Sequence, residues 1–228
     1  MTDPTKRPAA EGIAPGHFPG SPVTTGHTAP CPRRVRAMVG DEWVVDSSSV
    51  VYYWEHPYYP RYLVPLGDIR FGLVPDDALV VVDETRPDHR IVAWDSVDRW
   101  FEEDEEVFVH PRSPYSRVDP IQSNRAIRVE HGGAVLAEAT QSVIVFETGL
   151  PPRYYLDRSA VDWSLLTPSD TVTSCPYKGT TSQYWNVEVV GETTSDIAWS
   201  YESPLLALTP ITNLVAFYDE KVMVTSCR

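Results

Sequence analysis

A lysine held between two backbone-fixing residues, in the run Cys175-Pro176-Tyr177-Lys178-Gly179, is the sharpest chemical pointer in this chain. Proline and glycine bracket Tyr177 and Lys178, so two polar side chains sit on a tight turn. The amine there can stabilise developing negative charge or, if desolvated, act as a base or nucleophile, and the phenol can transfer a proton. Cys175 reads as a small buried side chain, since no histidine lies near it in sequence to activate a thiolate.

Two further groups have useful types and spacing. Glu147 is followed by Gly149, Pro151, Pro152, Arg153 and Tyr154, a turn that brings carboxylate and guanidinium together. That pair is either a clasp closing a hairpin or an anchor in which Arg153 holds a carboxylate, phosphate or enolate oxygen, with Tyr154 as a donor. Glu220, by strand alternation, shares an apolar face with Tyr218, Val222 and Val224, where desolvation raises a carboxyl's pKa and suits it to acid or base work. Pairing with Arg153 is the structural alternative, and Asp219 and Lys221 fall on the opposite, solvated parity. Tyr184, Trp185, Trp199 and Tyr201 can line a pocket, although aromatics in strands are core residues by default. His56 and His110, each beside a proline, are either bases or hydrogen-bonded loop residues. The expected site is therefore Lys178, Glu220, Tyr177 and Tyr154 for catalysis, with Arg153, Glu147, Tyr184, Trp185, Trp199 and Tyr201 around the substrate and no metal.

The elements that position these residues are duplicated. Val35 to Val74 lies over Ile127 to Leu166 without a gap, shifted by 92 positions, with identities at Arg36/Arg128, Gly40/Gly132, Glu55/Glu147, Pro60/Pro152, Arg61/Arg153 and Tyr62/Tyr154 among others. Further on, Ala93-Trp94 matches Ala198-Trp199 at a shift of 105, and 104–109 matches 219–224 at a shift of 115. The second half thus carries extra material that includes the Lys178 turn. Short runs rich in Val, Ile, Tyr and Trp predict strands in equivalent places, among them 34–39, 43–46, 50–55, 126–130, 135–139, 142–147, 184–190 and 222–226. Gly40-Asp41 and Gly132-Gly133 read as hairpin turns. Helix is expected only over 96–103 and 203–217, the latter interrupted by Pro210. The expected fold is mainly β: two duplicated antiparallel lobes, sandwich- or barrel-like, packed together, over 35–118 and 119–228 behind a disordered tail at 1–34.

With a net charge of −13 and a pI near 4.8, the chain is a poor partner for a phosphate backbone, so no nucleic acid is expected. No apolar run reaches membrane length, the first 34 residues lack a signal-peptide core, and three dispersed cysteines suit a reducing compartment. The expectation is a cytoplasmic protein without cofactor, acting on a small molecule, its oligomeric state unread. No nicotinamide or flavin fingerprint appears.

Six blocks carry a resemblance: Trp-Glu-His-Pro-Tyr-Tyr-Pro-Arg-Tyr at 54–62, the run at 100–112, Phe-Glu-Thr-Gly-Leu-Pro-Pro-Arg-Tyr-Tyr-Leu at 146–156, Cys-Pro-Tyr-Lys-Gly at 175–179, Ala-Trp-Ser-Tyr at 198–201 and Phe-Tyr-Asp-Glu-Lys-Val at 217–222. They resemble the family catalogued as domain of unknown function 427, in tandem form, over nearly all of Val35 to Val224. The resemblance implies the duplicated fold and brings a nucleotidyltransferase-like label, but no general reaction. Nucleotidyl transfer normally needs a glycine-rich phosphate cradle and carboxylates placed for magnesium, and no such cradle is visible here. The favoured reading is a cofactor-independent acid/base enzyme of isomerase, cyclase, lyase or hydrolase type. The alternatives are a nucleotidyltransferase-like nucleotide binder and a noncatalytic small-molecule or protein-binding module.

Overall fold

Short β-branched and aromatic runs broken by Gly, Pro, Asp and Ser leave little room for helix, and the chain folds accordingly. The computed structural model describes residues 19–227. The first half contains β1 (Thr28–Pro30), β2 (Val35–Val39), β3 (Glu42–Ser47), β4 (Val51–Tyr53), β5 (Arg61–Pro65), β6 (Leu79–Val80), β7 (His89–Val92), β8 (Arg99–Glu102) and β9 (Glu105–Val107). They form a five-stranded sheet in the order β1-β4-β5-β7-β6 and a four-stranded sheet β3-β2-β8-β9. The second half contains β10 (Val118–Ser123), β11 (Ala126–His131), β12 (Ala134–Ala139), β13 (Ser142–Glu147), β14 (Arg153–Leu156), β15 (Leu166–Ser169), β16 (Ser174–Cys175), β17 (Gly179–Thr180), β18 (Gln183–Val189), β19 (Glu192–Ser200), β20 (Val215–Phe217) and β21 (Met223–Cys227). Here the sheets are β10-β13-β14-β20-β19-β18-β15, β12-β11-β21 and the hairpin β16-β17. Among the described residues the strands pair antiparallel throughout and no sheet closes into a barrel.

Each half is a sandwich. Val35, Ala37 and Val45 pack on Tyr52, Tyr62 and Val64 in the first core, and Ile127, Val129 and Leu136 on Leu156, Val187 and Phe217 in the second. The repeat is exact in register: a bulge interrupts β2/β3 between Ala37 and Met38 and β11/β12 between Val129 and Glu130, again 92 positions on. The bridges Val45–Ile69 and Ala137–Val161 also correspond. In both hairpin turns a glycine takes positive φ, +56° at Gly40 and +57° at Gly132, a region closed to most L residues.

Several expectations change. Of the expected tail, 1–18 lies outside the described residues, while the remainder is built into the first half: β1 pairs with β4, and Val23 and Cys31 are buried in the core. Neither expected helix forms. The segment 96–103 holds the end of a 3₁₀ turn and β8, and 203–217 holds a 3₁₀ turn at Leu206–Ile211 followed by β20.

Strand partners also replace the shifts of 105 and 115. β6 and β19 correspond at a shift of 119 (Leu79 to Ala198), β7 and β20 at 125 (Ile91 to Ala216), and β8 and β21 at 124 (Glu102 to Ser226). Trp94 therefore matches the Tyr218 region, not Trp199, and the Ala-Trp identity is fortuitous. The extra material of the second half is β15 to β18, strands that widen one sheet.

Candidate functional site

Register on the seven-stranded sheet decides which side chains can meet. Val143 pairs with Tyr155 and Val145 with Arg153, so Glu147, Arg153 and Tyr155 point to one face and Ile144, Phe146 and Tyr154 to the other. On the first face Tyr155, Tyr184, Trp199 and Tyr201 pack with Leu208 and Ile211 into an aromatic layer. The Trp199 indole N–H donates to the Tyr155 hydroxyl at 3.2 Å, and the Tyr184 hydroxyl lies 3.2 Å from that of Tyr218 and 2.8 Å from Thr173 Oγ1. Tyr154 packs on the opposite core, as does Trp185, which meets Trp163. Both therefore leave the expected site. Tyr155, passed over in the sequence, takes the place given to Tyr154, and the period of two after Arg153 was the available signal.

Lys178 stands beside Tyr155 of the aromatic layer. The hairpin β16-β17 pairs Cys175 with Gly179, whose φ of +93° closes the turn that carries Tyr177 and Lys178. Lys178 Nζ meets Glu147 Oε2 at 2.5 Å, and the two side chains are only 13% and 15% exposed. Burial pushes the ammonium down, but Cys175, Glu147 and Tyr155 together outweigh it and hold the amine above its ordinary value. This direction supports Lys178 as a cation paired with Glu147 over the base and amine-nucleophile roles. Burial raises the Tyr155 phenol to about 12, with Lys178 and the Trp199 hydrogen bond opposing, so it remains a donor at neutral pH. Burial likewise raises Tyr201.

Tyr177 does not face the site as a proton carrier. Its hydroxyl accepts the backbone N–H of Ser113 at 2.8 Å, and burial raises its pKa against the hydrogen bonds of Ser116 and Ser113. It is an anchor.

Arg153 lies 5.6 Å from the Tyr218 ring, which in turn stands 4.3 Å from Trp199. Arg153 Nη2 donates to Glu220 Oε1 at 2.5 Å, and Nη1 lies 3.1 Å from Asp219 Oδ1 without a hydrogen bond between them. Residues 219–221 form a turn, and β21 begins at Met223, so strand parity does not apply to Glu220. Its side chain is 58% exposed. Partial burial pushes the Glu220 carboxyl up, yet Arg153 outweighs this and holds it below the usual range, the reverse of the expected shift. Asp219 is the raised carboxyl, because burial there outweighs Arg153. Lys221, expected at a solvated edge, donates to the carbonyls of Ser195 and Asp196. Glu220 and Lys178 each have their own partner, Arg153 and Glu147.

The clasp is half right. In the first half Arg61 Nε donates to Glu55 Oε2 at 3.0 Å, closing the turn. In the second half the equivalent pair is open: Glu147 turns to Lys178, and Arg153 to Asp219 and Glu220. The histidines serve packing. His56 Nδ1 accepts the Tyr58 amide and its ring meets Tyr59, while burial and Arg61 lower its pKa; His110 stacks on Tyr59 at 3.9 Å. Among the described residues no group of three His, Cys, Asp or Glu could hold a metal ion. Two hollows, of about 290 Å³ beside His131 and Lys221 and about 190 Å³ beside Trp94 and Asp98, lie away from Lys178.

Fold and site together define a duplicated β-sandwich protein in which one copy holds the clasp and the other has three ion pairs in its place, Lys178–Glu147, Arg153–Asp219 and Arg153–Glu220. Residues 119–227 match the model of the family described as a domain of unknown function (DUF427). No curated protein matches the chain. Among the described residues no helix is long and apolar enough to cross a membrane.

Proposed function

We propose that the second half is a cofactor-independent acid/base enzyme for a small organic molecule, of isomerase, cyclase, lyase or hydrolase type. The observation that carries this reading is the exchanged pair: a scaffold whose other copy keeps Glu55 on Arg61 has freed Glu147 and set it against a nearly buried, protonated Lys178. A fixed cation in a low-dielectric setting stabilises an enolate or oxyanion as it forms. Glu147 is the proton acceptor of the reading, and the Tyr155 phenol, held protonated, is its donor. Arg153, on the same face as Glu147, orients a polar group of the substrate.

The test is consumption of compounds from a small-metabolite mixture, followed by mass spectrometry with the wild type, Glu147→Gln, Lys178→Met and the double variant. Loss of turnover by about 10²-fold or more is expected in all three, as for removal of an acid or base. The double variant separates chemistry from folding, because it leaves no unpaired buried charge. Turnover surviving in a folded double variant ends the proposal, and saturable binding without consumption replaces it with a binding module.

A further inference from the structure

The first half has kept its clasp closed and lacks the strands that bear Lys178, yet it reaches the Lys178 turn through the connector between the halves. We infer that the first half is the mount of this turn, with Tyr59 and His110 as positioning residues, an inference resting on the reading of Lys178 as the working cation. The His110 ring lies flat on Tyr59, 3.9 Å away and 9° from parallel, and presents itself to Tyr177 at 6.2 Å, edge to face. Three residues on, the buried Ser113 donates its backbone N–H to the Tyr177 hydroxyl at 2.8 Å. The connector is fixed again at Tyr115, whose ring is 5.4 Å from Trp54 and whose hydroxyl is 3.2 Å from His27 Nε2.

Tyr177 and Lys178 are neighbours on a three-residue turn between Cys175 and Gly179. A tether on the phenol therefore limits where the Lys178 backbone can go. On the other side the turn is held by the Leu205 amide, which donates to the Lys178 carbonyl at 3.0 Å. A hairpin of two paired residues per strand has little stability of its own, so these outside contacts set its position. The placement of the Lys178 ammonium against Glu147 thereby depends on residues of the first half, some 68 to 119 positions earlier in the chain.

The test is amide exchange over 174–180 in the full chain, followed by mass spectrometry. His110→Ala should raise exchange there roughly three- to tenfold, the scale of one lost aromatic pair. His110→Phe, which keeps a flat ring on Tyr59, should restore it, and Tyr177→Phe, which removes the acceptor of the Ser113 amide, should also raise it. Unchanged exchange in both His110→Ala and Tyr177→Phe overturns the inference, as does a rise spread evenly over the strands of the first half. The readout needs no substrate. If exchange responds while the turnover experiment fails, the tether of the first half on the turn stands, and the positioning of a working cation falls with the enzymatic reading.

Discussion

Two ion pairs of similar composition should differ sharply in energy, because their surroundings differ. Lys178 and Glu147 are mostly out of water, so removing one partner leaves an unpaired buried charge at a cost of about 3–5 kcal/mol, while removing both recovers most of it. Arg61 and Glu55 remain about a third exposed, and Arg61→Ala should cost about 0–1 kcal/mol. Denaturant unfolding of Lys178→Met, Glu147→Gln, their double variant and Arg61→Ala checks this; equal costs for the two pairs would mean that the exchanged pair is no more buried in solution than the clasp. The carboxyls at Arg153 differ in sign. Glu220 is held below its unfolded pKa of about 4.3, so its stabilisation is present above that value and fades as pH falls through the folded pKa. Glu220→Gln should thus lower the melting temperature slightly at pH 7 and not at pH 3. Asp219 is raised, so its stabilisation is complete below about 3.9 and is lost as pH rises through its folded value. Asp219→Asn should be neutral or mildly stabilising at pH 7, and a strong loss of stability there would show that its charge is needed by Arg153.

The equivalent hairpin turns offer a matched comparison between elements. A Cβ at Gly132 would stand 2.9 Å from Val189 Cγ1, a strand the first half lacks, whereas at Gly40 it meets open space. Both positions have positive φ, so alanine strains each by about 1 kcal/mol, and Gly132→Ala should cost more than Gly40→Ala by the added crowding. Chemical denaturation measures the difference, and equal costs would indicate that Val189 moves aside freely. The strands were legible where they alternate or run apolar, as in β2, β3, β11, β12 and β13. Among those missed, β5, β14 and β20 are three to five residues long and rich in Tyr, Pro or Ala, and they are strands because neighbours on both sides complete their hydrogen bonds.

At the scale of the whole molecule, a net charge of −13 disfavours a polyphosphate partner. The carboxylates that a nucleotidyltransferase would offer to magnesium are turned elsewhere, Asp219 and Glu220 to Arg153 and Glu147 to Lys178. Magnesium with a nucleoside triphosphate should therefore leave the melting temperature unchanged, since only a ligand of the native state raises it. A rise that saturates with concentration would favour the nucleotidyltransferase reading over an acid/base enzyme.

Composition, alternation and the ungapped repeat were enough to determine the β class, the duplication, the hairpin turns and the presence of an addition in one copy, because these depend on local pattern and on comparison along the chain. The sequence also singled out Lys178, Glu147, Arg153 and Glu220 as the polar groups to watch. Their partners were decided only by tertiary structure. Glu147 and Arg153 are six residues apart, as Glu55 and Arg61 are, yet the clasp opens in one half because strands and turns remote in sequence deliver Lys178 and Asp219-Glu220 to its members. The face of a tyrosine, the exposure of Glu220 and the direction of its pKa shift follow from register and from a turn where a strand was expected. Local sequence constrains backbone periodicity, but the pairing of charges depends on which distant segments share a desolvated surface.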